Sequence, residues 1–346
     1  MSAQRRLMTV FVLLPLIMLL IGAAAGYVWL HQENNNAEPL VVDIQKGATL
    51  SSLARQWQSE GWVGSAFALR VAGRITGLSR ELRPGEFVVP AHMDNFELLH
   101  FLATAKPKTY RVTLIEGRPL REALAVLSEA EHVEQDIGPL TPALISEFLG
   151  LNVPPEGQLY PDTYVYYRGE PVSSLIQQAH DRLNRVLEEE WPARQGDLPY
   201  ESAHQALVMA SIVEKETGVA SERPVIAGVF VRRLQRNMRL ETDPTVIYGL
   251  GEDFGGNLTR AHLRDRSNEY NTYRRKGLPP GPIALAGRAA IHAALHPADG
   301  TELYFVAKGD GSHYFSSTLD EHTNAVRRYQ LRRRSDYRSS PAPESN

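Results

Sequence analysis

The stretch Ser202-Ala203-His204-Gln205-Ala206-Leu207-Val208-Met209-Ala210-Ser211-Ile212-Val213-Glu214-Lys215-Glu216-Thr217-Gly218 decides how this chain is read. Ser202 and Gln205 have the spacing of a capping box, in which two side chains satisfy the free amides at a helix start. Gly218 is a natural stop. Between them the residues are apolar on nearly every side, which predicts a helix buried at the centre of a domain. Two carboxylates and a lysine then fill its last turn. Glu214 stands three and four residues beyond Ser211 and Ala210, small neighbours that leave room for a ligand. Burial and the negative end of the helix dipole both disfavour its anion, so a raised pKa is expected, as a general acid needs. The competing reading is a frayed, solvated helix end. Glu216 lies about 200° further around the helix, so the acid role is read onto Glu214 alone.

Composition narrows the rest. A length of 346 residues suggests two domains. With 43 % apolar and 22 % charged residues, wholesale disorder is excluded. A net charge of −3 excludes a generally basic surface, and nucleic acid is not an expected partner. Without cysteine there is no disulfide, thiolate metal site, thiol nucleophile or lipid-modified N-terminal cysteine.

Arg5 and Arg6 precede an uncharged stretch from Leu7 to Leu30, long enough to cross a bilayer and ending with the interface-favouring Tyr27 and Trp29. Residues 1–6 are therefore expected in the cytoplasm, residues 7–30 in the membrane and the remainder outside. Ala23-Ala24-Ala25-Gly26 offers a signal peptidase its small residues, but the apolar run continues past it to Leu30. No later stretch is as long and apolar. Residues 31–40, polar and containing Asn34-Asn35-Asn36, read as a linker reaching about 30 Å.

Beyond it, Val41 to Ile44 reads as a strand, Leu50 to Trp57 as a helix capped by Thr49, and Phe67 to Ala72 as a second helix. Arg83 to Pro90 reads as a turn and strand, and Asp94 caps Phe96 to Ala103. This is a compact β-α-α-β-α module over residues 41–105. Part of the pattern recurs where Val112 to Gly117 leads into Leu120 and Leu124, so two strand–glycine–helix units are expected. A larger domain of helices, strands and proline-rich loops spans 106–334. Its last helix is capped by Thr318 with Glu321, its basic end carries Arg327, Arg328, Arg332, Arg333 and Arg334, and residues 335–346 form a disordered tail.

Polar loops cluster in the larger domain. Glu156-Gly157-Gln158-Leu159-Tyr160-Pro161-Asp162-Thr163-Tyr164 packs two acids and two aromatics between glycine and proline. Leu240 to Gly249 contains Glu241, Thr242, Asp243 and Thr245, and Tyr270-Asn271-Thr272-Tyr273 follows. Acids, amides and flat rings suit carbohydrate, though each loop alone is compatible with ordinary turn chemistry.

Taken in order, these segments resemble the endolytic murein transglycosylase (YceG-like) family, from about Val41 to about Gln330. The motifs are Glu156 to Tyr164, Ala210 to Thr217, Thr242 to Tyr248, Tyr270 to Tyr273, Gly277 to Ile283, His296-Pro297-Ala298 and Tyr304 to Ala307. Glu241 departs from the glutamine expected there. The resemblance implies an α+β fold with one membrane helix, a LysM-like glycan-binding module and a mixed α/β catalytic domain. It implies cleavage of the MurNAc-GlcNAc bond of peptidoglycan glycan strands to a 1,6-anhydro end, terminating nascent strands. Glu214 is the implied acid. Glu156, Tyr160, Asp162, Tyr164, Glu216, Thr242, Asp243, Thr245, Asn271 and Tyr273 are the implied substrate-binding residues. The implied location is the bacterial inner membrane with the bulk periplasmic, beside penicillin-binding synthases, with no metal and no cofactor. One carboxyl suffices, because the C6 hydroxyl of muramic acid is itself the nucleophile.

Other classes find partial support in the same sequence. His292 and His296 have the spacing of a helical metal pair, but no Glu follows the first and no third ligand is evident, so core or cap histidines are expected. A non-catalytic, membrane-anchored glycan scaffold and a hydrolase of the same bond remain alternatives. A Ser-His-Asp hydrolase lacks its Gly-x-Ser-x-Gly elbow.

Overall fold

A computed structural model describes residues 3–34 and 37–331, with side chains from residue 13 onward. Asn35, Asn36, the first two residues, Arg332 to Arg334 and the expected tail lie outside it. The first element, α1 (Ala3–Leu30), contains Pro15 without interruption. Its residues Leu13–Leu30 are long and apolar enough to cross a membrane, and Leu13 to Ile21 are exposed. A membrane anchor and a signal sequence both meet that description.

The chain divides into two compact units, with the boundary falling within two strands. The first unit contains β1 (Leu40–Ile44), α2 (Leu50–Ser59), α3 (Ala66–Ile75), β2 (Gly85–Val89) and α4 (Asn95–Thr104), the β-α-α-β-α order read from the sequence. Local caps set its helix starts. Thr49 and Ser52 bond reciprocally at α2, Ser65 accepts the Ala68 N–H at α3, and Asp94 and Glu97 form the box at α4. The strands pair antiparallel with Val42 opposite Phe87, and alternation buries Val42, Ile44, Phe87 and Val89 while exposing Val41 and Val88. Trp57, Leu69, Leu99 and Leu102 complete the core. Glu86 is buried in this unit. Lys108 Nζ at 2.8 Å, with Arg168 Nε at 2.9 Å and the Tyr110 hydroxyl at 2.8 Å, overrides the cost of burial and holds its pKa at about 2.

The expected linker opens with hydrogen bonds near the start of α4. The Asn34 N–H donates to the Met93 carbonyl at 2.9 Å, and Asn95 Nδ2 donates to the Trp29 carbonyl at 2.8 Å. The chain leaving α1 is thus bonded to the start of α4 before the polar run ends.

The second unit follows β3 (Thr109–Thr113) with α5 (Leu120–Ser128), α6 (Pro142–Phe148), β4 (Thr163–Tyr167), α7 (Val172–Glu190), α8 (Ala203–Glu216) and α9 (Arg223–Gln235). Then come α10 (Asp243–Leu250), α11 (Arg260–Arg264), α12 (Arg288–Leu295), β5 (Tyr304–Ala307), β6 (His313–Ser316) and α13 (Leu319–Val326). Gly47 and Gly117 each take the left-handed conformation three residues before a helix, which gives the two strand–glycine–helix units a common turn. The strands β3 and β4 pair, and β5 pairs antiparallel with β6.

Helix α8 is buried continuously from Ala206 to Val213 and packs against α9 and α12 at the centre of this unit. Two details of its ends depart from the sequence reading. Ser202 caps it, but Gln205 Oε1 accepts the Glu201 N–H instead of closing the box on Ser202. Its stop is Thr217, which turns extended, and Gly218 has no left-handed conformation.

Candidate active site

The last turn of α8 sends its charged side chains in three directions. Glu214 is almost wholly buried, its side chain 5 % exposed, with one oxygen 3.1 Å from Arg223 Nη2 and the other accepting the Gly287 N–H at 3.0 Å. Lys215 Nζ donates to the Gly117 carbonyl at 3.1 Å. Glu216 turns to the other side, where Oε1 accepts a short hydrogen bond from the Thr242 hydroxyl. Burial lifts the Glu216 carboxyl to about 7, with the neighbouring Asp243 pushing the same way and the Thr242 hydrogen bond opposing.

Glu216 opens onto a cavity of about 510 Å³. Glu241, Asp243, Tyr273, Tyr304 and His313 share its walls. The Tyr273 hydroxyl donates to Asp243 at 2.7 Å. Arg233 stands 5.1 Å over the Tyr304 ring and 3.3 Å from Glu241, whose backbone is left-handed. A carboxyl that burial raises to about 7, further carboxylates and aromatic rings in one cleft form a set that can donate a proton to a bridging oxygen and stack on a sugar.

The predicted substrate-binding residues divide into three groups. Glu216, Thr242, Asp243 and Tyr273 come together at the cavity. Thr245 and Asn271 do not reach it, because each is fully buried and satisfies the fold. Thr245 bonds the Thr242 carbonyl at 2.8 Å, and Asn271 Nδ2 bonds the Asp265 carbonyl at 2.6 Å.

The Glu156 to Tyr164 loop forms the third group. Glu156 Oε1 accepts the Leu120 N–H at 2.8 Å, capping α5 where Pro119 offers no side-chain cap, and Tyr248 bonds its other oxygen at 3.2 Å. Burial lifts that carboxyl too to about 7. The Tyr164 hydroxyl bonds the Tyr160 carbonyl at 2.7 Å, Asp162 pairs with Arg182, and the Arg182 guanidinium lies 5.4 Å from the Tyr160 ring centre. Glu116 belongs near Glu214. Burial raises its carboxyl first and the Glu214 charge second, and a side chain at Gly287 would collide with it.

Sequence reasoning missed Arg223, Gly287, Glu116 and His313. No short motif carries them, since each comes from a different helix start, loop or strand. The histidine pair gains a third neighbour, Glu190, and the three donor atoms lie within 4.8 Å of one another. Both Glu190 oxygens are already used, by Arg288 Nε at 2.9 Å and His292 Nδ1 at 2.8 Å, so the group is satisfied as an ion-pair network.

The YceG-like family model matches residues 42–328, nearly all of the chain beyond the apolar helix. The chain belongs to the YceG-like family. It is 29 % identical over 319 residues to an endolytic murein transglycosylase of Bacillus subtilis strain 168, covering 86 % of each protein. A protein of the same description from Streptococcus pneumoniae strain D39 is 27 % identical over 319 residues, or 87 % of this chain and 50 % of that longer protein. A crystal structure of a YceG-like protein from Listeria monocytogenes superposes with a TM-score of 0.51 at 26 % identity, over 83 % of this chain and 98 % of that one. The mixed α/β fold is therefore that of a solved relative.

Proposed function

We propose that this chain is a lytic transglycosylase that cuts peptidoglycan glycan strands internally at the MurNAc-GlcNAc bond, with Glu216 as its general acid. The observation that carries this reading is the Glu216 carboxyl, lifted to about 7 at the wall of the Asp243–Tyr273 cavity. Near neutral pH such a group still holds a proton to give and, once ionised, is stable enough to accept one. The sequence reading favoured Glu214, but both oxygens of Glu214 are engaged by Arg223 and Gly287, which leaves it a clamp between α8 and its neighbours.

In this mechanism the glycosidic oxygen takes the Glu216 proton as its bond to the anomeric carbon breaks. Asp243, held by Tyr273, faces the positive charge that develops there. The C6 hydroxyl of the muramic residue attacks, closing the 1,6-anhydro ring without a nucleophile from the protein. The apolar stretch Leu13–Leu30 supports a single inner-membrane anchor with the remainder periplasmic. From there the enzyme would end nascent strands beside penicillin-binding synthases. The first unit, with its β-α-α-β-α order, would be the LysM-like module that holds glycan.

The test is purified full-length protein on glycan strands with product mass analysis. Glu216→Gln should lower cleavage by at least about a hundredfold, and Glu214→Gln much less. Wild-type products should carry 1,6-anhydro ends. Reducing ends would instead mark a hydrolase, and a fully active Glu216→Gln would return the acid to Glu214.

A further inference from the structure

Glu216 shares its cavity with a histidine whose ring is held by a carboxylate. His313 opens β6, and its ring lines the same cavity with its side chain 9 % exposed. Glu222 fixes it from behind. One oxygen of Glu222 accepts the His313 backbone N–H at 2.8 Å, and the other lies 2.8 Å from His313 Nδ1. Glu222 is in turn bonded at 3.2 Å by the hydroxyl of Thr217, the residue that follows Glu216. The Phe305 ring stands edge-on to the imidazole at 5.4 Å and limits its rotation. A neutral imidazole that donates Nδ1–H to a carboxylate carries its lone pair on Nε2. His313 Nε2 has no hydrogen-bond partner among the described residues.

We propose that His313, oriented by Glu222, is a second catalytic residue of this site, the base that takes the proton from the attacking hydroxyl. The inference rests on Glu216 being the acid. Its physical ground is the division of labour at Glu216. Thr242 bonds Oε1, which leaves the other oxygen to hold the proton destined for the leaving group. A separate base removes the need for one oxygen to serve two substrate oxygens in turn.

The step balances. The bond from the anomeric carbon to the bridging oxygen breaks with its electron pair on that oxygen, which takes the Glu216 proton. The C6 oxygen uses a lone pair to form the new bond to the anomeric carbon, and its proton passes to His313 Nε2. Glu216 is left as a carboxylate and His313 as an imidazolium, and one proton passed back between them restores both.

The experiment uses full-length protein in detergent and two substrates. One is purified glycan strands, and the other is a nitrophenyl β-glycoside of N-acetylmuramic acid, whose leaving group departs without a proton. His313→Ala and the size-conserving His313→Gln should each cut strands at least about a hundredfold more slowly. Added imidazole should restore part of the rate to His313→Ala, which a merely structural role would not allow. Glu216→Gln should recover on the nitrophenyl substrate, while the His313 variants should not. Full strand cleavage by His313→Gln beside an inactive Glu216→Gln overturns this inference and leaves the acid reading intact. So does a slow His313→Ala that imidazole cannot rescue. A fully active Glu216→Gln overturns the acid reading itself.

Discussion

Replacing Glu216 by glutamine should make the protein nearly inactive and, above about pH 6, more stable. Burial is the main cause that moves this carboxyl from 4.5 to about 7. At pH 4 both the folded and unfolded chains carry the proton, and the group costs nothing. As the pH climbs through 4.5 the unfolded chain ionises while the folded one does not, so stability falls. Near pH 7 the folded carboxyl also ionises, and above it the full penalty stands. At 1.36 kcal/mol per unit, that penalty is roughly 3 kcal/mol. Glutamine is neutral in both states and escapes it. Whatever the amide loses in its fit to Thr242 is the same at every pH. Urea unfolding of wild type and Glu216→Gln, followed in detergent at pH 5 and pH 8, should therefore show a stability difference that grows in the variant's favour by roughly 2 kcal/mol or more. A difference that stays constant between the two would refute the reasoning, because the carboxyl would then ionise in place without cost and have no reason to hold a proton near neutrality.

Two further outcomes are expected. Thr242→Val removes a hydrogen bond that favours the charged Glu216, so the alkaline limb of the kcat/KM profile should move to higher pH, and an unmoved limb would separate Thr242 from the acid. Protease added to spheroplasts should digest the bulk of the protein while residues 13–30 stay with the membrane, whereas a soluble form beginning near Gly26 would identify a cleaved signal sequence.

Much of the fold could be read from residues that act over three or four positions. Thr49, Asp94 and Thr318 each cap the helix they precede, and the capping partner of each lies within three residues. The strand alternation around Val42 and Phe87 is equally local. The site was legible only to the level of its helix. Nothing within α8 distinguishes the surroundings of Glu214 from those of Glu216, since Arg223 and Gly287 come to one and Thr242 and Asp243 to the other from the starts of separate helices. Asn271 and Thr245 illustrate the opposite difficulty. Their side chains suit a sugar hydroxyl as well as a buried carbonyl, and only the fold shows that carbonyls take them. The polar composition of residues 31–40 likewise says nothing of the backbone bond that the Asn34 N–H makes to the Met93 carbonyl.

The three grips on the last turn of α8 bear on how a long polymer can be admitted. Glu214, Lys215 and Glu216 each fasten a different segment, at Arg223 with Gly287, at Gly117 and at Thr242. Fraying this turn would release all of them together, so it should be among the last parts of the unit to exchange its amide protons. The Glu216 carboxyl thus sits on a fixed anvil. On the proposed function, a strand cut in its middle has no end to thread, so the cleft would take it sideways. Leu319, Val326 and Gln330 line the same cavity on a short helix and the turn after it, away from these three grips, and on that function the give would come from there. Mobility measured there, against stillness at Glu216, is the signature this architecture leads one to seek.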